Sequence, residues 1–92
     1  MRMTADDLEE CALRIQALEF EYVVSSLKRE RHRRKAWEIE RRSMDDRTVA
    51  ELSELAHHKR EARQHERAMS DAIRAAHAIE SRVFLEDGVI EE

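Results

Sequence analysis

Apolar residues recur at three- and four-residue spacings along most of this chain. Leu8, Cys11, Ile15, Leu18 and Tyr22 share one face of a helix that turns about 100° per residue. That spacing is the seam of a coiled coil. Leu13, Ala17, Phe20, Val24 and Leu27 form a second stripe on the opposite face. A helix in a simple hairpin buries a single stripe. Two opposed stripes predict a helix covered on both sides, and the second cover must come from another copy or another protein.

The second half of the chain carries one seam. Leu55, Ala62, Met69, Ala76 and Val83 repeat every seven residues, with His58, His65, Ala72 and Ile79 at the alternate positions. Its small residues permit close helix approach. Thr4 with Asp7, and Thr48 with Glu51, match the helix-start pattern in which a hydroxyl and a carboxylate satisfy free backbone N–H groups. The expected elements are a helix over 5–42, a turn over 43–48, a helix over 49–84 and a short tail over 85–92 with Gly88 as its stop signal. The predicted fold is all-α: one domain over 1–92, an antiparallel, coiled-coil-like two-helix hairpin that dimerises into a four-helix bundle. Folding about residues 45 and 46 sets Leu8, Ile15, Leu18 and Tyr22 opposite Val83, Ala76, Ile73 and Met69. The same register puts Trp37 in a turn-end cluster with Ile39 and Leu52.

Composition supports helices. The 92 residues include no proline and one glycine, and 41% are charged, which excludes a turn-rich β fold. A single cysteine, Cys11, leaves no partner for an internal disulfide. The first residues, "MRMTADDLEE", lack the apolar core of a secretion signal, and no run approaches a membrane span. The expected location is the cytoplasm. Arginine far outnumbers lysine, a bias expected of a GC-rich genome and hence of a phage or bacterial accessory protein.

Residues 28–35 read "KRERHRRK". The charges in this run point all round the helix and leave no face for a core, predicting a polar waist where the hairpin helices hold each other least. Glu54 and Glu61 are expected to pair across it with some of Arg31, Arg34 and Lys35. One functional reading of the segment 28–42 is a phosphate grip for nucleic acid. Against it, the chain's net charge is −4 and no aromatic interleaves the run. The favoured reading makes Arg29, Arg31, Arg33, Arg34 and Lys35 a partner-facing surface for a protein.

His57, Glu61 and His65 fall four residues apart on one helical face and are candidate metal ligands. The stretch "LAHHKREARQH" resembles the second helix of small encapsulated ferritin-like hairpins over residues 55–65. That resemblance implies a metal-binding hairpin. The family's glutamate three residues before the position of His65 is Ala62 here, so its ligand set is incomplete. His58 and His65 stand at seam positions beside Lys59 and Arg63, so acidification is expected to weaken the fold. No nucleophile–base grouping or glycine-rich phosphate loop is present. The sequence therefore predicts a non-enzyme without cofactor: an adaptor, assembly factor or inhibitor that binds itself and a larger protein. Leu13, Ala17, Phe20, Val24 and Leu27 are its expected oligomer interface.

Overall fold

A computed structural model describes residues 3–42 and 44–86, with side chains as far as Phe84. Helix α1 spans Ala5–Glu40, a 3-10 turn spans Met44–Asp46, and helix α2 spans Val49–Glu86. The described residues form an all-α hairpin with extents of 65 × 17 × 17 Å. None of its helices is long and apolar enough to cross a membrane. The first helix ends two residues earlier than its hydrophobic pattern predicts and the second runs two residues longer. Gly88, the expected stop, lies outside the described residues.

Local chemistry explains both helix starts. The Thr4 hydroxyl accepts from the Asp7 N–H at 3.1 Å, and the Asp7 carboxylate accepts from the Thr4 N–H at 3.0 Å. These bonds hold the Asp7 carboxyl below its ordinary range. Thr48 and Glu51 repeat the arrangement at α2, with both backbone contacts at 3.1 Å. The turn closes without glycine because an arginine serves the end of α1. The Arg47 guanidinium donates to the carbonyls of Glu40 at 3.0 Å and Arg42 at 3.1 Å, which the helix end leaves without partners. Arg42 in turn pairs with Glu51, tying the end of one helix to the start of the next.

The seam is continuous. On α1 it runs Cys11, Ile15, Leu18, Tyr22, Ser25, Arg29, His32, Ala36 and Ile39, all buried or half-buried. On α2 it runs Leu55, His58, Ala62, His65, Met69, Ala72, Ala76, Ile79 and Val83, again all buried or half-buried. From Cys11 to Ile39 and from Leu55 to Val83 the alternating four- and three-residue step never breaks, so the helices meet along one line there, whereas Leu8, expected on the seam, is exposed. This corrects the reading of "KRERHRRK" as charged on every face: Arg29 and His32 take seam positions within it, and Ala36 follows one turn later, buried. At the turn end, Ala36, Ile39 and Leu55 pack as a small core. Trp37 does not join them. It is 60% exposed, with the Arg41 guanidinium 4.7 Å above its ring. Its position one residue past Ala36 turns it out of the seam.

Candidate functional site

Two features stand out above the helical scaffold: a histidine cluster in the seam and an uncovered apolar face on α1. The cluster draws four of the five histidines together. His32 projects from α1 at a seam position, and His58 and His65 project from α2 seven residues apart, so all three meet on the contact line. His57, beside His58, reaches the cluster from its solvent side. The ring of His32 lies 5.1 Å from that of His58, 5.7 Å from that of His65 and 6.0 Å from that of His57.

The Nδ1 atoms of His32 and His58 are 2.9 Å apart, so the Nδ1–H of one ring donates to the bare Nδ1 of the other. His58 is buried, and its Nε2 lies 3.6 Å from the Glu54 carboxylate. His65 Nε2 lies 3.8 Å from Glu61. Burial lowers the His32 pKa from its ordinary 6.5, and the neighbouring charges of His58, His65 and His57 lower it further against the opposing pull of Glu61. Its lowered pKa favours a neutral His32 imidazole, whose lone pair can bind a metal ion.

The metal-ligand candidates read from sequence separate in space. Donor atoms of His32, His57 and His58 lie within 4.8 Å of one another, and so do those of His32, Glu61 and His65. His57 thus belongs to one grouping and Glu61 with His65 to another, and His32 joins both. His32 was hidden by the charges around it. Counting the seam onward from Tyr22 through Ser25 and Arg29 lands on it.

The cross-hairpin ion pairs also differ from expectation. Glu54 and Glu61 face histidines on their own helix rather than Arg31, Arg34 and Lys35. Arg34 lies 3.8 Å from Glu30 one turn away, Arg29 reaches Glu66 at 3.9 Å, and Lys59 reaches Glu40 at 3.4 Å. The reason is reach: an i,i+4 carboxylate stands directly beside its partner, whereas the side chains of Arg31, Arg34 and Lys35 are exposed to solvent. Arg31, Arg33, Arg34 and Lys35 are all exposed.

The second feature lies on the far side of α1. Leu13, Phe20 and Leu27 repeat every seven residues there and are 63%, 71% and 68% exposed. Ala17 is exposed with them, and Val24 sits at the edge, half-buried. Val23 extends the stripe sideways, three residues after Phe20 and four before Leu27. It borders an apolar groove between the helices, where Leu18, Tyr22, Ala72, Ile73 and Ala76 also contribute. Cys11 is a free thiol, half-buried on the seam. Comparison with known families, with characterised proteins and with solved structures finds no match for this chain.

Proposed function

We propose that this chain is a helical interaction module that self-associates through the outer face of α1 and acts by binding a larger protein as an adaptor, assembly factor or inhibitor. The observation that carries this reading is the uncovered apolar stripe of Leu13, Phe20 and Leu27, each more than three-fifths exposed. Scattered exposed apolar residues are ordinary on a protein surface, but a contiguous stripe at heptad spacing is the form in which one helix recognises another. Val23 and Ile73, 53% and 42% exposed, widen that stripe toward the hairpin groove. Covering such a face with another helix removes several large side chains from water, at roughly 25 cal/mol per Å² of apolar surface. A two-fold pairing of two copies brings like faces together and gives a four-helix bundle.

The protein partner is tested by capture from a lysate with wild type and Phe20→Glu as parallel baits. The reading expects a partner held by wild type and lost with the variant, because a buried unpaired carboxylate costs several kcal/mol. A partner held equally by both baits contradicts this use of the outer face. The exposed side chains Arg31, Arg33, Arg34 and Lys35 support a second reading, contact with a nucleic-acid backbone. It requires binding that weakens steeply with salt, with a slope reduced by about 2 in the Arg33→Gln/Arg34→Gln variant.

A further inference from the structure

The histidine cluster offers more than packing. We propose that the hairpin binds one divalent transition-metal ion of the zinc class per chain, through His32, His57 and His58. The donor atoms of these residues already lie within 4.8 Å of one another. Two of them, the Nδ1 atoms of His32 and His58, stand 2.9 Å apart. In a tetrahedral zinc site with Zn–N bonds of about 2.0–2.1 Å, neighbouring nitrogens are about 3.3 Å apart. A small opening of the pair therefore admits an ion in place of the proton between the rings.

The surroundings suit that exchange. Once Nδ1 of His58 ligates, its Nε2–H points to the Glu54 carboxylate, now 3.6 Å away, which is the outer contact that fixes a ligating imidazole's orientation. His58 is only 6% exposed and is held between the two helices, whereas His57 is exposed and leaves room for water as a fourth ligand. Two nearby cations are engaged by carboxylates: Arg29 with Glu66 at 3.9 Å and Lys59 with Glu40 at 3.4 Å. Imidazole donors select zinc, cobalt, nickel or copper over magnesium and calcium, which take oxygen ligands. The competing group of His32, Glu61 and His65 substitutes a carboxylate for one nitrogen, and its Glu61–His65 contact is longer, at 3.8 Å. Since His32 spans both helices' contact line, occupancy would cross-link the hairpin at its most polar point.

The test uses the full chain freed of metal by a chelator and titrated with Co²⁺ and then Zn²⁺ near neutral pH. The expected result is one ion per chain, a visible absorption of nitrogen-ligated cobalt that Zn²⁺ abolishes, and a thermal midpoint raised by Zn²⁺ and not by Mg²⁺. His57 is exposed, so His57→Ala retains the helical fold, and it is expected to weaken Co²⁺ binding by about tenfold or more. Glu61→Gln and His77→Ala leave binding unchanged. Absence of Co²⁺ binding to wild type overturns the proposal. So does a His57→Ala variant that binds as tightly as wild type while Glu61→Gln does not, since that pattern assigns the ion to the other group.

Discussion

The seam changes character along its length, and the two regions teach different things. Toward the chain ends, Ile15, Leu18 and Tyr22 line the contact with Met69, Ala72, Ala76 and Ile79, and the line is apolar. At the waist the same heptad positions hold Arg29 and His32 on one helix and His58 and His65 on the other. The geometry is unbroken, so the difference is chemical. Apolar positions contribute stability through burial. Polar ones must find partners in the seam or cost free energy, and among the described residues the Nε of Arg29 is buried with none. A paired polar group inside a helical seam also fixes register, because a slip by one heptad would separate His32 from His58.

The largest expected losses come from the apolar region and the turn-end core. Leu55→Ala and Met69→Ala, at positions 8% and 7% exposed, are expected to cost about 2–5 kcal/mol each by chemical denaturation. The waist is expected to respond differently. His58→Leu alone leaves His32 facing an apolar group and costs about 1–3 kcal/mol. Replacing His32 and His58 together by Leu is expected to be nearly neutral or stabilising, because neither ring is left facing a lost partner. A double variant that loses as much as Leu55→Ala would erase the distinction between the regions.

A smaller change is expected with pH, and it belongs to the waist. The folded-state pKa of His32 is below its ordinary 6.5, first from burial and then from the charges of His58, His65 and His57, with Glu61 opposing. The unfolded chain therefore binds the proton more readily, and its stability contribution is complete above about pH 6.5 and declines as pH falls toward the lowered value. Thermal midpoints at pH 7.5 and 5.5 should show the lower value at the acidic pH, and His32→Gln should shrink the difference. Asp7 contributes in a separate window, below its ordinary 3.8.

The helix ends rank next. Thr4→Ala and Thr48→Ala are each expected to cost about 1 kcal/mol through loss of the hydroxyl that accepts the Asp7 or Glu51 N–H. The smallest effect is expected from Arg33→Gln/Arg34→Gln. Both side chains are exposed, and a solvated pair such as Arg34 with Glu30 is worth about 0–1 kcal/mol. A larger loss of folding stability would give the basic run a role in the fold.

The all-α hairpin was legible because two independent signals agreed: heptad spacing, and the Thr4–Asp7 and Thr48–Glu51 pairs at its helix starts. The glycine-free turn was not explained by local propensity, since the groups that close it come from Arg47 and from the Arg42–Glu51 pair. The site was only half visible. His57, Glu61 and His65 announce themselves by spacing on one helix, whereas His32 supplies the opposite side from a segment whose composition reads as solvent-facing. Trp37 failed as a core residue for a related reason: hydrophobicity suggested burial, but its position beside Ala36 turned it outward.

The central claim is that the outer face of α1 is an interface. Its most direct test is the mass of the purified chain by light scattering at micromolar concentration with no partner present. The account predicts twice the 10.9 kDa chain mass for wild type, and 10.9 kDa for a Phe20→Glu variant that keeps its helical circular dichroism. A wild-type chain that scatters as a 10.9 kDa monomer under these conditions contradicts the homodimer.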